Sequence, residues 1–230
     1  MKDLIILTPK LDGDYSDSIV QTVEPFKLTK KHFVTVPIQF TATVVVDNTF
    51  ELKIGPCSEL NLFKYVKKTG GYKGAGDASI QLYFVLNKSF DAVKWGFGDI
   101  PVNNKRIQDA YHIGARGTCS FSIESYKNLI LSFNMMKNIT SDMIRDRIIN
   151  IIKTVGIGIL STYFTNSEIS HFEINSLNSE IREKMLEALK KEKAIVELGI
   201  KIKALTLEPI FVREDDEERI GARINNKEAE

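Results

Sequence analysis

The fold is decided by residues 107–123, which read IQDAYHIGARGTCSFSI. Odd positions in this stretch are mainly apolar, whereas even positions include the polar residues His112 and Arg116. Alternation with a period of two is typical of a β-strand that has one buried face and one solvated face. Because the stretch is long for one strand, Gly114 and Gly117 are the predicted sites of a bend or bulge.

More strands are predicted on the N-terminal side of this stretch. Segments rich in Val, Thr and Phe favour extended structure, and a run that is apolar throughout favours a strand covered on both faces. The predicted strands cover residues 33–38, 40–46, 50–54 and 79–86. Asp47 and Asn48 predict a turn between two of them. In residues 1–32 the signal is weaker, and only Leu4–Thr8 is predicted as a strand.

On the C-terminal side the apolar period changes to that of a helix. A short helix is predicted at Ser125–Met136, and apolar residues then recur every three or four positions over Ser141–Phe164 and Leu177–Leu198. Thr140 or Ser141 can cap the first of these two longer helices. We therefore expect amphipathic helices that pack on the predicted sheet.

The chain returns to alternation after Gly199, a residue suited to the left-handed conformation that ends helices. A final strand is predicted from residue 200 to about Val212. The order of strands, then helices, then a strand indicates an α+β fold. We expect a strand-rich N-terminal half with a twisted, mainly antiparallel sheet, two longer helices packed on it, and a C-terminal strand.

The same pattern suggests three regions along the chain. Residues 1–32 are predicted as an N-terminal extension, residues 33–213 as the α+β domain, and residues 214–230 as a charged tail. The acidic run Glu214–Glu218 is interpreted as a solvated segment that could bind a partner.

Composition excludes several classes of protein. The 31 basic and 30 acidic side chains give a net charge of +1, which argues against a nucleic-acid-coating protein. Cys57 and Cys119 are too few for a disulfide framework, and the scattered Cys and His residues show no zinc-ligand spacing. The N-terminal apolar run is too short for a signal peptide or a membrane span, so we expect a soluble or peripheral cytoplasmic protein.

Motifs for chemistry are equally sparse. The glycine-rich stretch Thr69–Asp77 lacks the spacing of a dinucleotide loop and the Gly-Lys-Ser/Thr of a phosphate-binding loop, so a turn is predicted. His112 and Arg116 share a polar strand face, which is more often the solvated side of a sheet than a site. No nucleophile motif is present. The sequence therefore predicts no enzyme and no catalytic, cofactor-binding or metal-binding residue.

Two segments resemble the stomatin/prohibitin/flotillin (SPFH) domain. Residues Ile113–Tyr126 match its strand and turn, and Gly199–Leu207 matches its last strand. Upstream, Gln81–Asn87 and Lys94–Asp99 resemble the bacterial branch described as virion-core-like. The resemblance covers about residues 33–213, although Glu124-Ser125 stands where the family often has Asp-Pro. It implies a non-enzymatic scaffold or adaptor that self-associates as a homo-oligomer or docks to a membrane-protein partner.

Two alternatives stay open from the sequence. One is a small-ligand-binding protein or enzyme that uses the polar strand face around His112 and Arg116, which would require a concave pocket there. The other is a virion-type or phage-type structural protein, which would assemble without membrane partners. A scaffold would be distinguished from a ligand-binding protein by its mass in solution.

Overall fold

The computed structural model describes residues 4–48, 50–70, 78–104, 109–166 and 174–227, and the chain forms two compact units. The N-terminal unit comprises Met1–Lys88 and Ile123–Ile144, and the C-terminal unit comprises Ser89–Ser122 and Arg145–Glu230. Strands dominate the first half and helices follow, so the predicted α+β class is confirmed. The boundaries proposed at residues 32 and 213 stay a prediction.

In chain order the strands are β1 (Ile5–Leu7), β2 (Ser18–Lys27), β3 (His32–Val36), β4 (Phe40–Val46), β5 (Phe50–Ile54), β6 (Cys57–Asn61), β7 (Ser79–Leu86), β8 (Ser89–Asn104), β9 (Asp109–Ile123), β10 (Asn138–Thr140), β11 (Ile200–Leu205) and β12 (Phe211–Val212). The helices are α1 (Leu62–Lys68), α2 (Tyr126–Ser132), α3 (Ser141–Asn166), α4 (Asn178–Lys191), α5 (Lys193–Glu197) and α6 (Glu214–Lys227).

The N-terminal unit contains two sheets. A three-stranded sheet has the order β1-β3-β6, and a five-stranded sheet has the order β10-β2-β7-β4-β5. All described pairs are antiparallel except β1 with β3. Apolar side chains from both sheets and from α1 form one buried core. The hairpin between β4 and β5 turns at Asp47 and Asn48, where the sequence predicted a turn. Both residues are in the left-handed region.

Strand β2 was not predicted, although it lies between β10 and β7 in the five-stranded sheet. Its register shifts between Val23 and Phe26, so Pro25 lies at an irregularity in the ladder. Proline lacks the N–H that a regular ladder needs, and a bulge removes that need. Pro25 therefore interrupts the strand pattern in the sequence, but it does not prevent the strand from forming.

The C-terminal unit is built around β9. Strand β8 pairs with it along one edge, while β11 and β12 pair with it along the other. The predicted bends in β9 were wrong: the extra residues lie in β8, next to Ala92 and Asp99, which have positive φ. Gly117 has a different role, because a Cβ there would lie 2.0 Å from the Thr206 carbonyl oxygen. The glycine permits close approach of the next strand.

Helix α3 packs on this sheet over its C-terminal part. At Gly156 a Cβ would come within 2.6 Å of the Phe97 ring, so the absence of a side chain lets α3 approach β8 closely. The Phe164 ring meets the Tyr111 ring edge-to-face, with centroids 6.0 Å apart. The predicted cap is confirmed, since Thr140 Oγ1 accepts a hydrogen bond from the Met143 N–H.

The helix predicted over Leu177–Leu198 is two helices. The chain breaks at Glu192, whose ψ of 122° is extended, and the Glu192 carboxylate accepts from the Ala194 N–H to cap α5. No Gly or Pro lies at this break, and the apolar spacing continues across it. The sequence pattern therefore predicted one helix where the structure has two. Gly199 has a φ of 71°, as expected for the residue that ends the helical segment.

Candidate functional site

The polar face of β9, which carries His112 and Arg116, is in contact with the C-terminal segment of the same chain. The His112 N–H donates to Asp216 Oδ2 at 2.8 Å, and His112 Nδ1 lies 2.9 Å from the same oxygen. Arg116 Nε donates to Glu208 Oε2 at 2.7 Å. Both residues proposed for a ligand site are therefore partnered by carboxylates of the chain itself.

Asp216 is the centre of this arrangement. Its side chain is 6% exposed, while the neighbouring His112, Arg219 and Arg213 side chains are 35 to 50% exposed, so the carboxylate lies just beneath the surface. Arg219 donates to Asp216 Oδ1 at 2.8 Å and to the Ala110 carbonyl at 2.6 Å. The hydrogen bonds of Asp216 and Arg219 thus connect the start of α6 to β9.

The pKa of the Asp216 carboxyl is well below its ordinary value of 3.8. The hydrogen bond from Arg219 is the largest cause, and the two bonds from His112 and the charge of Arg213 act in the same direction. Burial acts the other way, because it disfavours the charged form, but the donors outweigh it. Asp216 is thus held as a carboxylate that accepts hydrogen bonds.

The interpretation of Glu214–Glu218 as a solvated segment is wrong for Asp216. The segment begins a helix, with acidic residues in the first turn where the helix dipole favours negative charge. Asp216 and Ile220 are buried, one helical turn apart, whereas Glu214, Asp215, Glu217 and Glu218 are exposed. This four-residue spacing is the signal in the sequence that could have revealed the docked face.

Other residues singled out in the sequence do not converge on a site. Trp95, which lies in the segment Lys94–Asp99, is buried in the C-terminal unit. Cys119 is also buried, which raises the pKa of its thiol to about 12 and makes it unreactive. Most of the glycine-rich stretch Thr69–Asp77, namely residues 71–77, lies outside the described residues. Within the described ranges no group of three His, Cys, Asp or Glu side chains could hold a metal ion.

One helix among the described residues, Ser141–Phe164, is long and apolar enough to cross a membrane by length and composition. Core helices of soluble proteins meet the same criteria. Five of its apolar side chains are fully buried in the structure: Ile144, Ile148, Ile152, Leu160 and Phe164. The helix therefore has the buried stripe of a core element and by itself does not establish a membrane span.

A surface suited to association lies at one edge of the three-stranded sheet. Among the described strands, β1 pairs only with β3. No described strand pairs with the other edge of β1. Leu4, Ile5 and Ile6 are 61, 44 and 51% exposed, and we call these three residues the apolar edge. An edge strand with exposed apolar side chains can act as a template for another strand.

Several of the other sheet edges carry features that discourage pairing. Charged side chains lie on β5 at Glu51 and Lys53 and on β11 at Lys201 and Lys203. Strand β8 has two irregularities in register, and β10 is only three residues long. Charges, bulges and short length are the usual means by which proteins protect sheet edges. Strand β1 is as short as β10, but the apolar edge carries no charge and exposes three large apolar side chains.

Comparison with known families agrees with this architecture. Residues 69–227 match the model of the SPFH domain-Band 7 family, while no curated protein matches the chain significantly. Proteins of this family are generally membrane-associated, non-enzymatic scaffolds that oligomerise. The virion-core-like branch stays a prediction. Because the match spans more than half of the chain, the protein belongs to the SPFH domain-Band 7 family.

Proposed function

We propose that this chain is a non-enzymatic scaffold module that self-associates through the apolar edge. Family membership supports the general role, and the single observation that carries the specific proposal is the uncharged, exposed edge of β1. A second copy of the chain is the occupant that we propose. Docking of a membrane-protein partner at the same edge is the second candidate, because the family is membrane-associated.

The geometry of β1 predicts a weak association. The strand is three residues long, so edge-to-edge pairing adds few main-chain hydrogen bonds. Burial of an exposed Ile side chain contributes roughly 1.5–3 kcal/mol, and part of this is offset by the entropy lost on association. We therefore expect self-association that depends on protein concentration, in the micromolar to millimolar range, roughly.

The alternative of a ligand site at His112 and Arg116 has less support. A site for a polar ligand needs donors or acceptors that are free to turn toward it. Here Asp216 accepts a hydrogen bond from the His112 backbone N–H and lies close to the His112 imidazole. Glu208 accepts a hydrogen bond from the Arg116 guanidinium. A ligand would have to compete with both carboxylates for these donors.

Localisation follows from the same proposal. We expect a cytoplasmic protein that reaches a membrane through a partner, and no role in nucleic-acid binding, since the net charge is +1. A virion-type or phage-type structural role stays an alternative, and it would require assembly without a membrane partner.

Light scattering over a concentration series tests the proposal. A weight-average mass that rises above the 26.0 kDa of one chain supports self-association. A constant monomer mass over the whole range would contradict it and would leave partner docking as the remaining form of the scaffold role. Removal of residues 214–230 is a poor variant for this experiment, because it also removes the buried Asp216 and Ile220 side chains.

A further inference from the structure

A cavity of about 260 Å³ lies within the N-terminal unit, on one face of the five-stranded sheet. The floor is formed by side chains of β4 and β7, and α2 with the turn that follows it forms the opposite wall. For scale, an apolar cavity of about 150 Å³ can hold benzene. The space here is large enough for a bicyclic molecule.

The wall contributed by α2 is apolar apart from Lys127. Ile130 is buried, whereas Leu131 and Met135 are 46% and 54% exposed and form the rim. Val45 faces them from β4. Met is unbranched and flexible, so a rim that contains it can adjust to the shape of a bound molecule. The lining favours a ligand that is largely apolar.

The floor carries two hydroxyl groups. Thr43 and Tyr83 are direct cross-strand partners, and both line the cavity. The Thr43 hydroxyl is buried and has no hydrogen-bond partner among the described residues. A buried hydroxyl without a partner is unfavourable, and a rotation of about 120° around the Cα–Cβ bond moves the Thr hydroxyl to another staggered position. A ligand hydroxyl in the cavity could supply the missing partner.

The charge around the cavity is balanced. Glu51 and Lys127 both line it and carry opposite charges. Burial raises the pKa of the Tyr83 hydroxyl, so this group remains a neutral donor at neutral pH. Neither anions nor cations are favoured by such a lining, because the two charges largely cancel at a distance.

We infer that this cavity binds an uncharged, largely apolar molecule of about two fused rings that carries one hydroxyl group directed at Thr43. The site is separate from the self-association proposed above, because the apolar edge belongs to the three-stranded sheet and the cavity to the five-stranded sheet. Failure of either proposal leaves the other standing.

The probe for this inference is 2-naphthol, with 2-naphthoate as the charged counterpart, followed by fluorescence and ligand-observed NMR. We expect saturable binding of one 2-naphthol per chain and weaker binding of 2-naphthoate. Thr43→Val should weaken 2-naphthol binding about fivefold, the factor expected for one neutral hydrogen bond. No saturable binding up to the solubility limit, or tighter binding of 2-naphthoate, would overturn the inference.

Two variants locate the binding. Thr41→Val is the matched control, because Thr41 lies two positions away on β4 and its hydroxyl already donates to Asn87 Oδ1 at 3.0 Å. It should leave the affinity unchanged. Leu131→Trp starts from an exposed rim position, so it should fold normally and fill the cavity, with at least a tenfold loss of 2-naphthol binding. Unaltered binding by a folded Leu131→Trp variant would place the probe elsewhere and refute the site.

Discussion

The two units differ in how they use their own polar and apolar groups. In the C-terminal unit the polar face of β9 is bonded to carboxylates from the end of the chain, at Glu208 and Asp216. In the N-terminal unit an uncharged strand edge is exposed, and a cavity is open beside α2. The two surfaces proposed here for other molecules therefore both lie in the N-terminal unit.

The comparison also bears on the family match. Matched residues 69–227 include the described part of the C-terminal unit together with β7, α2 and β10 of the N-terminal unit, whereas the apolar edge at Leu4, Ile5 and Ile6 precedes them. The match therefore covers the segment in which Glu208 and Asp216 bond to the polar face of β9. The association proposed here therefore involves residues outside the matched range.

The largest expected effect tests how closely the strands of the C-terminal unit pack against one another. Gly117→Ala would place a Cβ 2.0 Å from the Thr206 carbonyl oxygen, which is backbone and cannot turn aside. We expect a loss of about 3 kcal/mol in the free energy of unfolding, measured with urea. Gly98→Ala on β8 is the control, since a Cβ there meets nothing within 4 Å. Equal stability of both variants would show that the strands are not held this closely.

The next effect concerns the attachment of α6. Asp216→Asn removes the charge that accepts from His112 and Arg219, and we expect a loss of about 2 kcal/mol and faster hydrogen exchange in residues 214–227. Asp215→Asn is the matched control, because that side chain is 84% exposed and its ion pair is worth little. Unchanged exchange in the Asp216 variant would mean that packing of Ile220 alone holds the helix.

The same carboxylate makes the attachment pH-dependent. The pKa of Asp216 is lower in the folded protein than its ordinary value of 3.8, so its contribution is complete above about pH 4 to 5 and is lost as the pH falls further. Stability measured from pH 6 down to pH 3 should therefore fall more steeply in the native protein than in Asp216→Asn. Parallel curves would contradict the assignment.

A smaller effect lies at the start of α3. Thr140→Ala deletes the hydroxyl that accepts from the Met143 N–H, and N-cap deletions cost about 1 kcal/mol. Thr140→Ser keeps the hydroxyl and should retain most of the stability. Thermal unfolding of the three proteins measures the difference, and a serine variant as unstable as the alanine variant would point to the lost methyl group instead of the cap.

The smallest effect is expected at Arg116. Its guanidinium pairs with Glu208, and both side chains are more than half exposed, so Arg116→Ala should change the free energy of unfolding by less than about 0.5 kcal/mol. A substantially larger loss in urea unfolding would show that this pair is a structural element of the polar face.

Regular elements could be predicted from the sequence because their side chains repeat. Alternation revealed β9, and apolar spacing revealed α3, since each pattern reports which face is buried. Strand β2 was missed because Pro25 interrupts it at an irregularity, and the break at Glu192 was missed because it contains neither Gly nor Pro. Local patterns report regular structure and fail where the chain departs from it.

The candidate sites were harder to predict for a different reason. His112 and Asp216 are 104 residues apart, and no local pattern connects them. The segment Leu4–Thr8 was predicted as a strand, but only the order of strands places it at a sheet edge. Likewise the cavity depends on how α2 covers β4 and β7, which residue spacing does not specify.

Light scattering of an edge variant tests the central claim most directly. Ile5→Lys combined with Ile6→Lys places two charges on the apolar edge, and Ile38→Lys is the control because Ile38 is 84% exposed but lies outside the strands. We predict that the native protein and the control gain mass with concentration, while the edge variant stays at 26.0 kDa. Association by all three proteins, or by none, would contradict the proposed role of the edge.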